Sequence, residues 1–198
     1  MSTQQPTVRT SSRKGLNNSV LGTRNLMTVA ALAVVGAIIV VPLTYIGAAW
    51  STTPNGVLAA CALMGVWVVP YALPPVVIRR PGAAVIAGFI MGIITAFSHP
   101  MGPAAIAGNV IGALYIEIPL ALMLYRKWTW WSFGIAGTVF GFLNGLAYAV
   151  AIVQGASTTM QIAFVAIAVV SAWIGVAVTV LIGRLLNQAG VAIAWDGQ

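Results

Sequence analysis

Residues 104–124, AAIAGNVIGALYIEIPLALML, decide how the rest of the chain is read. At ~1.5 Å per residue this run is long enough to cross a bilayer as a helix. It carries one ionised residue, Glu117, well inside it. A carboxylate at that depth costs roughly 3 kcal/mol or more unless it faces protein, water or a cation. A polar cavity with a cationic ligand is one way to offset that cost. A structural role, accepting from a backbone or hydroxyl donor, is the other.

Composition agrees with a membrane setting. Sixty per cent of the 198 residues are hydrophobic and 6% are charged, and the mean hydropathy is +0.99. These values describe an integral membrane protein rather than a water-soluble domain. The net charge of +7 comes from nine Lys and Arg in short, scattered clusters, which argues against nucleic-acid binding. Cys61 is the only cysteine, so neither a disulfide nor a Cys-based metal site can form within the chain.

Six apolar segments are predicted, at about 27–49, 56–78, 82–97, 104–124, 131–153 and 160–186. The third is short and the sixth long, which tilt can accommodate. The fold class expected is all-α, a six-helix transmembrane bundle with both termini cytoplasmic. Residues 1–26, rich in Ser, Thr, Gln and Asn, read as a disordered basic tail, residues 27–186 as the bundle, and 187–198 as a short cytoplasmic tail.

Charge sets the orientation. Arg9, Arg13, Lys14 and Arg24 precede the first segment, Arg79 and Arg80 separate the second and third, Arg126 and Lys127 separate the fourth and fifth, and Arg184 ends the sixth. The connections 50–55, 98–103 and 154–159 carry no Lys or Arg. With six crossings every basic residue falls on the cytoplasmic side, as cell-membrane proteins require. Trp128, Trp130 and Trp131 then join an aromatic belt at the inner interface.

Small residues recur every fourth position: Ala84, Gly88, Gly92 and Ala96; Gly108 and Gly112; Gly137, Gly141 and Gly145; Ala33 and Ala37. This spacing lets helices approach closely. Pro42, Pro70, Pro74, Pro75 and Pro119 lie inside segments and predict kinks.

Depth along the fourth segment puts Asn109 roughly 8 Å and Glu117 roughly 20 Å from its outer end, with ~80° between them, so both can border one cavity. Asn144 and Tyr148 share a stripe with Gly141 and Gly145, and Asn144 reads equally as a helix–helix hydrogen bond. Trp67 and Tyr71 lie one turn apart, with Trp67 near mid-membrane, where an indole face attracts cations. His99, in SHPMGP, sits at the outer end of the third segment. Trp173, and Trp50 with Asn55 in the first outer connection, are weaker candidates. No GxxxxGK[ST], HExxH or GxSxG occurs, so neither ATP hydrolysis nor a familiar hydrolase is expected of this chain. No metal site and no cofactor are expected.

Three stretches carry a family resemblance: MGVWVVPYALPPVVIRRPGAAV (64–85), SHPMG (98–102) and GALYIEIPLALMLYRKW (112–128). Together they resemble the YkoE family, the membrane-embedded substrate-binding (S) components of energy-coupling factor transporters. The resemblance implies a six-helix S component, active with a membrane coupling protein and two cytosolic ATPases, and a substrate that is thiamine or its hydroxymethylpyrimidine precursor. The candidate substrate contacts from depth and chemistry are Glu117, Trp67, Asn109, Asn144, Tyr148 and His99; a carboxylate can pair with the thiazolium or accept from the amino group, and no group is assigned to a particular ring. Ala33 and Ala37 resemble the small-residue surface by which S components dock on the coupling protein. The rival readings are an autonomous proton-coupled carrier of a small cationic metabolite and a non-transporting membrane assembly protein.

Overall fold

The computed structural model describes residues 20, 22–152 and 157–190. Most of the expected N-terminal tail, with Arg9, Arg13 and Lys14, lies outside the described residues, as do 153–156 of the third outer connection and 191–198. The described chain is helical throughout: α1 (Thr23–Trp50), α2 (Pro54–Ala62), α3 (Met64–Ile78), α4 (Ala83–Ser98), α5 (Ala104–Leu122), α6 (Trp130–Ala147) with a π-helical turn at Tyr148–Ile152, and α7 (Thr158–Gln188). Among these residues five helical stretches are long and apolar enough to cross a membrane, with α2 and α3 counted together. The sixth, α4, has 16 residues, the short third segment foreseen above. The all-α, six-span expectation holds.

The spans close into a ring. α1 packs on α4, α4 on α5, α5 on α6, α6 on α7, α7 on α3, and α3 back on α1. In lipid no hydrophobic effect pulls helices together, so close packing has to do it, and the small residues supply the closeness. A methyl group on Gly141 would lie 2.7 Å from the Ala168 carbonyl oxygen, and one on Gly145 2.7 Å from Val165 Cα. Between α4 and α5 a Cβ on Gly88 would meet that of Ala113 at 2.5 Å. The tightest crossing joins α3 to α7, where a Cβ on Gly175 would fall 2.1 Å from the Gly65 carbonyl oxygen.

One feature is new here and one expectation changes. The prolines lie inside α-helical runs, and the second span is interrupted at Leu63, which is not a proline. A side chain from another helix bridges the interruption: Ser171 Oγ of α7 donates to the Ala62 carbonyl (2.5 Å) and accepts from Gly65 N–H (2.8 Å). Ala33 and Ala37 are 0 and 3% exposed. They share the α1 face of Gly36, whose Cβ would lie 2.8 Å from Met91 Sδ and 2.9 Å from Pro70 Cβ. That face holds α1 in the ring, so these two alanines offer no outward docking surface.

Candidate functional site

One cavity opens at the end of the ring away from the basic connections, with a volume of about 250 Å³. It is built on α5, whose Ala105, Asn109, Gly112 and Tyr115 recur at helical spacing along one face and all line it. Gly112 is flat enough for the Tyr71 ring to lie against the helix; a Cβ there would be 3.2 Å from Tyr71 Cζ. The Tyr71 hydroxyl donates to Asn109 Oδ1 (2.9 Å), while Asn109 Nδ2 donates to the Ala105 carbonyl (2.8 Å). The Asn109 carboxamide is thus held at both ends, each with capacity for one more hydrogen bond.

Aromatic rings make the floor. Tyr71 and Phe140 sit 5.8 Å apart, and Tyr115 meets Phe140 nearly edge-on at 6.3 Å. Trp67, one turn before Tyr71, is half-buried in the wall. From the far side come Asn144 and Tyr148, the latter carried on the π turn. Such turns recur at functional positions because they displace a side chain from the regular helical stripe. Asn144 Nδ2 donates to the Phe140 carbonyl (2.8 Å); its Oδ1 meets no donor among the described residues. Among the described residues, no Asp, Glu, Lys, Arg or His lines the cavity. It is an uncharged chamber of carboxamides, phenols and one indole.

Four of the six expected site residues therefore meet here: Trp67, Asn109, Asn144 and Tyr148. Tyr71, Tyr115 and Phe140 complete the chamber. The signal for Tyr115 was present in the sequence, since it continues the Ala105–Asn109–Gly112 stripe. Nothing in the sequence pointed to Phe140. His99 does not line the cavity. Its Nδ1 accepts from Met101 N–H (3.2 Å) and its ring tilts on Tyr45 at 4.8 Å, while the Tyr45 hydroxyl donates to the Ser98 carbonyl. His99 shapes the rim and leaves Met101 to face the cavity. Trp50 and Asn55 do not line it either. Trp173 points away, donating from Nε1 to Thr138 Oγ1 (2.8 Å).

Glu117 is the main correction. It is 5% exposed and lies outside the cavity, towards the basic end. Its Oε1 accepts from Gly82 N–H (2.6 Å) and its Oε2 from Ala84 N–H (3.0 Å). Gly82, at φ 83°, caps α4 and leaves that terminus with no side-chain cap of its own. A carboxylate from the neighbouring helix supplies one, satisfying two otherwise unpaired donors and lying at the positive end of the helix dipole. The reason is geometric: α4 is short, so its N-terminus falls at the depth of Glu117. Leu124 and Tyr125, at φ 54° and 53°, turn the chain so that the Tyr125 hydroxyl reaches the same carboxylate. Burial, then the hydrogen bond to Glu117, then its charge push the Tyr125 phenol up to about 12.

A ring of apolar spans with a chamber of small-molecule size at one end defines a multi-pass membrane protein. Residues 24–143 match the family described as "ABC-type cobalt transport system, permease component", and the chain belongs to that family. It is a non-catalytic transport subunit of the cell membrane. A solved structure described as "Crystal structure of an S-component of ECF transporter" superposes with a TM-score of 0.75, at 17% sequence identity, over 85% of this chain and 87% of that one. The fold is the one seen in that S component. No curated protein matches the chain.

Proposed function

We propose that the chain is the substrate-binding subunit of an energy-coupling factor transporter. It takes a thiamine-related heterocycle into the chamber from outside, the hydroxymethylpyrimidine precursor in preference to thiamine. The observation that carries this reading is the uncharged lining, with two carboxamides set above an aromatic floor. A neutral aminopyrimidine presents donors and acceptors along one edge, which Asn109 and Asn144 can pair, and a flat ring that Trp67 or the phenols can stack on. Thiamine adds a permanent cation. With Glu117 committed to the α4 terminus, that cation would meet ring faces alone, an attraction of roughly 0.5–2 kcal/mol. The resemblance of residues 64–128 to YkoE-type S components supports the same substrate class.

The family's description mentions cobalt. A Co²⁺ cargo calls for imidazole, carboxylate or thiolate ligands, and no group of three or more such residues occurs among the described residues. Carboxamides and phenols suit an organic guest. Transport then follows the arrangement of such systems: the guest enters the chamber on the non-basic, external side, the outer connections cover it, and ATP hydrolysis in two cytosolic partner subunits, relayed by a membrane coupling protein, reorients the bundle. The basic end faces the cytoplasm on the charge argument.

Calorimetry on the full chain in detergent tests this. Saturable binding of hydroxymethylpyrimidine, tighter than that of thiamine and weakened by Asn144→Ala, is the expected result. Saturable Co²⁺ binding with no response to either heterocycle would overturn the reading.

A further inference from the structure

The basic end holds a second, differently built hollow. It has a volume of about 280 Å³ and lies where the end of α3, the start of α6 and the last turns of α7 converge. Arg79, at the end of α3, and Arg184, on α7, both line it, together with Trp128, Thr129 and Trp130. Trp130, Val180 and Arg184 also line an adjoining hollow of about 300 Å³. That one runs along the outer faces of α6 and α7 past Leu181 to Trp173, residues that are 55 and 43% exposed. The two form one trough, cationic at its inner end and apolar along its length.

From this shape and charge we infer that the trough binds an anionic phospholipid, with the phosphate between Arg79 and Arg184 and an acyl chain along α6 and α7. Charge complementarity argues for the anion. The chain holds nine Lys and Arg against two acidic residues, and the one acidic residue inside the bundle already serves two backbone donors. Burial also pulls the Arg79 guanidinium below the usual arginine value, and a nearby phosphate favours the charged form. Guanidinium groups match phosphate oxygens in bidentate geometry. Position argues for a lipid over a soluble anion: the apolar arm of the trough opens on the face turned to hydrocarbon, and the tryptophans mark headgroup level.

Native mass spectrometry of the full chain in a neutral detergent, titrated with phosphatidylglycerol or phosphatidylcholine, reads this directly. Phosphatidylglycerol should be retained in preference, and Arg184→Gln should weaken its retention roughly tenfold. Arg184 is exposed, so that variant should fold. Arg126→Gln, which alters a basic residue outside the trough, should leave retention unchanged, and millimolar inorganic phosphate should not displace the lipid. Equal retention of the two lipids, or full retention by the Arg79→Gln/Arg184→Gln pair with its helical content intact, would overturn the proposal. Displacement by inorganic phosphate would overturn it too, and assign the two guanidinium groups to a free anion.

Discussion

Asn109 and Glu117 stand two turns apart on the same helix and are equally hidden, at 6 and 5% exposed. Asn109 is anchored by a phenol and by its own helix, and the rest of its carboxamide borders an open chamber. Glu117 is used by backbone donors at the start of α4 and does not line that chamber. Burial of a polar group in a membrane bundle therefore does not say what the group is for. Its partners do: a residue that already satisfies the backbone has little left for a guest, whereas one with spare hydrogen-bonding capacity over a void can recognise one.

The comparison is most open to attack at Glu117. Glu117→Ala leaves two buried N–H groups at the start of α4 without an acceptor, a loss of about 3 kcal/mol. Thermal unfolding in detergent should show a clear drop in Tm, smaller for Glu117→Gln, which keeps one acceptor oxygen. Ligand affinity in whatever folds should stay within about twofold, since no removed atom touches the chamber. A Glu117→Gln protein with normal Tm and weakened ligand binding would erase the distinction between the two residues.

Next in size is Asn144→Ala. Removing the open Oδ1 should raise the Kd of the pyrimidine about tenfold with Tm nearly unchanged, because its only hydrogen bond among the described residues is a local one to Phe140. Tyr71→Phe sharpens the contrast from the other side. Deleting the bond to Asn109 frees that carboxamide to rotate, which should cost about 1 kcal/mol in stability and a few-fold in affinity together.

The smallest effect is spectroscopic. A phenol whose folded pKa is raised stabilises the fold fully below its ordinary value of 10 and loses that contribution as pH climbs through about 12. Glu117→Gln removes the charge that helps raise it. The tyrosinate absorbance assigned to Tyr125, by difference from Tyr125→Phe, should then appear at lower pH. An unchanged titration would mean that the phenol does not sense the carboxylate.

Particular elements show how much was legible beforehand. The short α4, the long α7 and the Gly137–Gly141–Gly145 stripe were all readable from periodicity and length. The same is true of the segregation of Arg79, Arg80, Arg126, Lys127 and Arg184 from the connections at the opposite end. Trp67, Asn109, Asn144 and Tyr148, conspicuous as polar and aromatic residues in an apolar run, all line the one chamber described above. His99 and Glu117 were conspicuous for the same reason and misled. Each spends its hydrogen bonds on nearby backbone, His99 on Met101 and Glu117 on the start of α4. The break at Leu63 carried no proline or glycine at the break itself to announce it, and Ser171, which bridges it, lies more than a hundred residues away.

The amino-acid order alone determined that this is a six-span membrane bundle, which end is basic and which faces would pack, because hydropathy, charge and small-residue spacing are local properties that lipid and water act on directly. Only the tertiary structure decided which buried polar groups face a void. That depends on the length of a neighbouring helix and on which backbone donors arrive at the same depth, and no single segment carries that information.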